Sequence, residues 1–211
     1  MFITLEGPDG SGKTSQMEPL TNFLREQGYQ VVATREPGGT PISAQVRDIL
    51  LNRMENTAMH PRTEILLFCA SRAQHVEEFI RPQLAEGKIV ICDRYADSTL
   101  AYQGYGHGVN IEVLRNLLNF TTGGLYPDLT LLMDVRAEVG LRRRQKGGDE
   151  WNRLDAYAVE FHRKVQSGYH KLVEKEPERW RVVDAEQRPE QVQIDMQRVI
   201  MEFLSNRNST N

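Results

Sequence analysis

Gly7-Pro8-Asp9-Gly10-Ser11-Gly12-Lys13-Thr14 follows a short apolar run, Phe2 to Leu5, and opens a segment with helical spacing, Lys13 to Gln27. A G-x-x-x-x-G-K-[ST] string between a strand and a helix is a phosphate loop. Its glycines let the backbone turn N–H groups onto phosphate oxygens, and the helix N-terminus adds oriented donors and a favourable dipole. Gly7, Pro8, Asp9, Gly10, Ser11, Gly12, Lys13 and Thr14 are therefore expected to cradle ATP. In that cradle Lys13 reaches the β and γ phosphates and the Thr14 hydroxyl ligates Mg²⁺. Asp9 is out of character, because a carboxylate beside polyphosphate is repelled unless it faces elsewhere, for instance a second ligand's hydroxyl. The competing reading is a solvated turn aspartate.

Further β-branched apolar runs lie at Val31 to Ala33, Ile89 to Cys92, Leu129 to Met133 and Arg181 to Val183. Between them come helical patterns at Ile42 to Leu51, Thr63 to Ala85, Ile111 to Phe120, Glu138 to Arg144, Leu154 to Val173 and Pro189 to Leu204. Strand and helix alternate throughout, which predicts an α/β fold with a five-stranded parallel sheet covered on both faces. The 211 residues fit one domain, 1–211, with no internal repeat or long linker. The net charge of −3 gives no basic field to hold nucleic acid. Arg nonetheless outnumbers Lys 20 to 6, and its planar fork grips phosphates bidentately, although codon bias would give the same ratio. Cys69 and Cys92 form no C-x-x-C pair and read as core fillers. An acid at Glu6 and the absence of a basic leader argue against a signal peptide, and no apolar run is long enough to span a bilayer. A soluble, cytoplasmic protein without membrane or nucleic-acid partners is expected.

A phosphate loop does not choose between switch, motor and kinase. No Asn-Lys-x-Asp guanine-reading motif occurs. Two other strand-end loops carry chemistry: Thr34-Arg35-Glu36-Pro37-Gly38-Gly39-Thr40 after the second strand, and Asp93-Arg94-Tyr95, continuing Ser98-Thr99-Leu100-Ala101-Tyr102-Gln103-Gly104, after the third. In doubly wound sheets ligands gather at the carboxyl ends of strands, so all three loops border one crevice. Together they resemble those of the thymidylate kinase family. The resemblance extends through Leu67-Phe68-Cys69-Ala70-Ser71-Arg72, Tyr126-Pro127-Asp128-Leu129-Thr130 and Phe161-His162-Arg163-Lys164-Val165, over nearly the whole chain.

The resemblance implies transfer of the γ-phosphoryl of ATP to dTMP, with Mg²⁺, usually by a homodimer. The acceptor phosphate is largely ionised near neutral pH, its second pKa being about 6, so no strong general base is needed. Positioning two repelling anions and stabilising charge on the transferring group is the whole task. By resemblance, Asp93 sits near the metal, and Arg94 binds the acceptor phosphate and bridges towards the γ phosphate. Asp9 accepts from the sugar 3′-OH, and Tyr102 packs where a ribose 2′-OH would sit. Phe68 resembles the stacking platform for thymine, Arg72 the donor to its O4 and Thr99 the residue at its N3 edge, with Pro37 and Gln103 bordering the pocket. The spacing of Phe68 and Arg72 does put both on one helix face, where a lone Phe is otherwise a core residue.

Arg142-Arg143-Arg144-Gln145-Lys146-Gly147-Gly148-Asp149-Glu150-Trp151-Asn152-Arg153 looks like the family's mobile lid, about 142–153. Because the phosphate loop has no arginine and the lid has several, the pattern resembles the bacterial variant, in which lid arginines supply charge to the transition state. Arg143 and Arg153 are the expected pair; a solvated basic helix end is the alternative for any one of them. Asn152-Arg153-Leu154-Asp155 departs from the family's usual lid acids. His60, His75, His107, His162 and His170 show no metal-ligand spacing. The helices around Thr63 to Ala85 and Leu154 to Val173 offer a dimer face, although their apolar faces are equally needed for the core. Two rivals remain: another nucleoside or nucleotide kinase on the same sheet, and a non-catalytic nucleotide-binding protein that signals through its lid.

Overall fold

The computed structural model describes residues 1–52, 59–146 and 158–208. Five parallel strands form one sheet: β1 (Phe2–Glu6), β2 (Val31–Arg35), β3 (Ile89–Asp93), β4 (Leu129–Asp134) and β5 (Trp180–Asp184), in the order β2-β3-β1-β4-β5. All five lie where the β-branched runs predict them. The described helices are α1 (Lys13–Glu26), α2 (Pro41–Arg47), α3 (Pro61–His75), α4 (Arg81–Ala85), α5 (Ala96–Thr99), α6 (Ile111–Thr122), α7 (Ala137–Lys146), α8 (Val159–Lys175) and α9 (Pro189–Asn208). Wider π-helical turns extend α2 through Asp48–Asn52, join α3 to α4 through Val76–Ile80, and extend α5 through Leu100–Gly106.

β1, β3 and β4 are buried on both faces, as parallel strands under helices must be, and their side chains alternate between two apolar layers. Ile3, Leu5, Ile91, Leu131 and Met133 pack with Leu20 and Leu24 of α1 and Met196 and Ile200 of α9. Phe2, Val90, Cys92 and Leu132 pack on the opposite face with Ile65 of α3, Leu118 of α6 and Tyr169 of α8. Full burial of such side chains is worth roughly 1.5–3 kcal/mol each, which makes the sheet the rigid frame of the molecule. The sheet order sends the chain from β1 outward to β2 and then, after β3, across to β4. Loops leaving the adjacent strands β1 and β3 consequently head for opposite faces and open a crevice at their carboxyl ends.

Two expectations change here. The segment after Asp93-Arg94-Tyr95 is helical through Gly106, not a loop. The helix at Leu154 to Val173 is described over Val159–Lys175, with Val165, Tyr169 and Leu172 in the core, so its apolar stripe is turned inward. Its apolar residues therefore serve the core. Of the lid, Arg142 to Lys146 form the last turns of α7, whereas Gly147 to Arg153, including Arg153 itself, and Asp155 lie outside the described residues.

Candidate active site

The phosphate loop leaves β1 through Gly7 and enters α1 through Gly12, with Gly7, Gly10 and Gly12 at φ of 146°, 75° and 86°. Lys13 folds back across it: its Nζ donates to Gly7 O (2.9 Å), Pro8 O (2.9 Å) and Ser11 Oγ (3.0 Å). Burial, then the neighbouring Arg94 charge, pull Lys13 down to about 8. A cleft of about 550 Å³ runs over the loop. Asp9 to Thr14 line it, as do Pro37, Phe68, Arg72, Asp93, Arg94, Thr99, Tyr102, Gln103 and Arg143. Gly7 and Pro8 are outside that lining and shape the loop through the carbonyls that hold Lys13.

At the centre of the cleft Arg94 has a left-handed backbone, φ 69°, costly for a residue with a side chain. Its guanidinium donates to Asp9 Oδ1 (2.5 Å), Tyr102 OH (3.1 Å), Gly7 O (3.1 Å), Ser98 Oγ (3.1 Å) and Tyr169 OH (3.3 Å). Tyr102 OH in turn donates to Asp9 Oδ2 (2.7 Å). Burial opposes ionisation of Asp9, but Arg94 and Lys13 outweigh it and hold the carboxyl below its ordinary range. Asp9 is therefore an anion clamped inside the cleft, which disposes of the solvated-turn reading. Arg94 pairs with Asp9 and not with its sequence neighbour Asp93.

Asp93 points the other way, in phase with Ile89 and Ile91, towards α1. Its Oδ2 accepts from Thr14 Oγ1 (2.6 Å), and its buried Oδ1 has no hydrogen-bond partner among the described residues. An orphaned carboxylate oxygen beside a threonine hydroxyl is a hard-oxygen set of the kind that Mg²⁺ takes together with waters and phosphates.

The side of the cleft beyond β3 is built from Glu36, α3 and α5. Arg72 is buried, 2% exposed, and donates through Nε to Glu36 Oε2 (2.7 Å), through Nη1 to Thr99 Oγ1 (3.1 Å) and through Nη2 to Tyr95 O (3.0 Å). Burial lowers its pKa and Glu36 more than restores it. One hydrogen on each terminal nitrogen is left for the cleft. Glu36 also contacts His75 Nδ1 (3.1 Å), whose Nε2 meets Thr34 Oγ1 (2.7 Å). Gln103 Nε2 donates to Glu64 Oε1 (2.8 Å). Phe68 is half-buried on the cleft wall.

On the other side of the loop, beyond β4, Arg143 and Arg144 of α7 face the cleft with Ala185, Gln187, Pro189 and Val192, while Arg142 is exposed and outside it. Arg143 donates to Ala185 O (2.6 Å) and Glu186 O (3.3 Å), tying the lid helix to the turn before α9. The helix also abuts the phosphate loop: a Cβ at Gly140 would lie 2.2 Å from Asp9 O, and one at Gly10 would lie 2.0 Å from Gly140 O. Alanine favours a helix over glycine by about 1 kcal/mol, but here it would have to push backbone from backbone. Gly140→Ala is therefore expected to destabilise the protein by about 1–2 kcal/mol in urea unfolding and to raise the KM for ATP; a stabilised variant would mean that the contact gives way freely.

Sequence reasoning left Glu6, Glu36, Ser98 and Arg47 unassigned. Arg47 lines the cleft and donates to Pro37 O (2.8 Å), and burial, then Arg35, lower its pKa. It stands in no motif. Glu36 and Ser98 lie inside quoted strings, and a buried acid is a signal in itself. Glu6 is wholly buried at the end of β1, and burial, then Asp97, push it up to about 7.

Comparison with known proteins agrees with this geometry. The family model described as thymidylate kinase matches residues 5–196. A thymidylate kinase of Thermomicrobium roseum is 52% identical over 191 residues, 90% of either chain. One from Halalkalibacterium halodurans is 48% identical over 205 residues, 97% of either chain. The crystal structure of thymidylate kinase from Ehrlichia chaffeensis superposes with a TM-score of 0.77 at 35% identity, covering 95% of this chain and 98% of that one.

Proposed function

Since the chain belongs to the thymidylate kinase family and phosphorylates dTMP with ATP, we propose that the Asp9–Arg94–Tyr102 cluster is where its two substrates meet. The supporting observation is the position of Arg94, which reaches Gly7 and Asp9 of the phosphate loop and Tyr102 and Ser98 of the α5 segment at once. ATP lies along Asp9 to Thr14 with its base towards Pro189 and Val192, and dTMP lies between Phe68, Arg72 and Arg94. Lys13 moves from the loop carbonyls to the β and γ phosphates, and Arg94 holds the acceptor phosphate in line. Arg143 and Arg144 add charge from the lid side. Thr14 and Asp93 would hold Mg²⁺, which when bound neutralises charge between the β and γ phosphates. Arg72, a donor without acceptors, favours a keto oxygen at the base over an amino group. Phe68 stacks on the base, with Thr99 and Gln103 at its edge. The absence among the described residues of a helix able to cross a membrane accords with a cytoplasmic enzyme.

Tyr102 supplies the test of the acceptor side. Its hydroxyl is fixed by Asp9 and Arg94 at the cleft wall, where it would crowd a ribose 2′-OH. Tyr102→Phe keeps the ring in the core and opens that space. The preference for dTMP over ribothymidine monophosphate should narrow about tenfold in kcat/KM; an unchanged ratio removes Tyr102 as the sugar gate.

The homodimer implied by the family fits the α3/α6 face. Leu66 on α3 and Val113 and Phe120 on α6 are 58%, 60% and 83% exposed, and α3 packs beside α6. Apolar residues gathered on one face mark an association surface. Phe120→Asp is expected to shift the mass in light scattering from two chains to one; a single-chain mass for the unaltered protein would remove the dimer.

A further inference from the structure

Glu6 ends β1 in phase with Phe2 and Thr4, so its side chain points to the α5/α8 side of the sheet, where no water reaches it. An uncompensated carboxylate there would be costly. It accepts three hydrogen bonds: from Tyr95 N–H at Oε1 (2.7 Å), and from Ser98 Oγ (2.6 Å) and Tyr169 OH (2.9 Å) at Oε2. The two hydroxyls are also the ones on which Arg94 Nη1 rests, at 3.1 and 3.3 Å. Each hydroxyl has one proton. The two hydroxyls also lie 3.0 Å from each other; when the carboxylate draws both protons to Oε2, the oxygen lone pairs face Arg94, and the guanidinium meets two acceptors. Tyr95, held at its N–H, is the residue immediately after the left-handed Arg94.

We infer that Glu6 is a positioning residue for the acceptor phosphate, holding the Arg94 guanidinium through the Ser98 and Tyr169 hydroxyls and the Arg94 backbone through the Tyr95 N–H. The inference rests on the assignment of Arg94 to the dTMP phosphate. Glu6 touches neither nucleotide in that arrangement. Asp97, the acid whose charge bears on Glu6, is occupied by a bidentate pair with Arg179 (2.8 Å to each oxygen) and does not serve Arg94.

Glu6→Gln keeps the shape and breaks the polarity. An amide oxygen at the Oε1 position turns its NH₂ on the hydroxyls, whose protons are then left to point at each other or at Arg94; the opposite flip sets NH₂ against the Tyr95 N–H. Titration calorimetry of the full chain with dTMP, and separately with ATP, at about pH 7.5 keeps the unaltered carboxyl mostly ionised and Lys13 mostly protonated. The expected result is dTMP binding weakened about tenfold, the scale of a hydrogen bond to a charged group, with ATP affinity within about twofold. In an Arg94→Ala background Glu6→Gln should produce no further loss, because the route from Glu6 to the phosphate is gone. A merely structural role would lower Tm and weaken dTMP and ATP alike in either background. Equal losses with and without Arg94, or an unchanged dTMP affinity in Glu6→Gln while Arg94→Ala binds weakly, overturns the Glu6 role alone. Unchanged dTMP affinity in Arg94→Ala overturns the assignment of Arg94 and the inference with it. Should Glu6→Gln not fold, Ser98→Ala and Tyr169→Phe each remove one intervening hydroxyl; full dTMP affinity in both decides against the relay.

Discussion

Arg94→Ala is expected to lower kcat by about 10³-fold or more, the scale on which an arginine contributes to phosphoryl transfer. Two anions must be brought together without a general base, and Arg94 is the cation that reaches both the phosphate loop and the α5 segment. Removing it leaves Asp9 with Tyr102 and the Lys13 charge but without its ion-pair partner, so a stability loss of about 1–3 kcal/mol accompanies the kinetic one. The two effects separate because Arg94 has a left-handed backbone. Arg94→Gly loses the same charge and relieves the backbone, so it should be more stable than Arg94→Ala by about 1 kcal/mol and equally inactive. Steady-state ADP release and urea unfolding on both variants read this out. An alanine variant within tenfold of the original kcat would show that transfer proceeds without Arg94.

Lys13→Ala carries the second largest effect, a fall in kcat of about 10²–10³-fold, as for other positioned donors to developing charge, with a raised KM for ATP. Lys13 is 5% exposed, and its ammonium sits among two loop carbonyls and the Ser11 hydroxyl. Three rotatable donors on a flexible stem can exchange those oxygens for phosphate oxygens; a planar guanidinium cannot fit the same carbonyl cage. Lys13→Arg should therefore remain within about tenfold of Lys13→Ala. Near-complete recovery by arginine would mean that charge alone, without the fit to the loop, is what Lys13 provides.

The strand, phosphate loop and first helix were legible because local patterns specify them: an apolar run, fixed glycine spacing and a lysine at a helix start. The α5 segment was not. Leu100 to Gly106 carries two glycines and no long apolar period, and it is helical because α8 packs across it. A Cβ at Gly106 would meet Phe161, and one at Gly168 would meet Tyr105. Tertiary packing overrode propensity there, yet Thr99, Tyr102 and Gln103 still reach the cleft. The inward turn of α8 has the same origin, because an amphipathic pattern shows that a helix has an apolar face and not which surface covers it. Glu6 was visible only as an acid near the start of the chain, since its partners Ser98 and Tyr169 are 92 and 163 residues away. Of the arginine run in the lid, Arg143 and Arg144 line the cleft and Arg142 does not. The excess of arginine over lysine acquires a meaning in these places: Arg72, Arg94, Arg143 and Arg144 converge with Lys13 on one cleft, and Arg47, which no motif marks, joins them.

The most direct measurement is ADP release from ATP and Mg²⁺ across a panel of acceptors: dTMP, dUMP, AMP, CMP, GMP and thymidine. Membership of the family predicts dTMP as the best acceptor by kcat/KM, and the proposed places of Arg72 at the base, Tyr102 at the sugar and Arg94 at the phosphate predict that AMP, CMP and GMP are poor ones. Thymidine, which brings no phosphate for Arg94, should give no release above background. Preference for any other acceptor, or release with thymidine at the dTMP rate, would contradict the account.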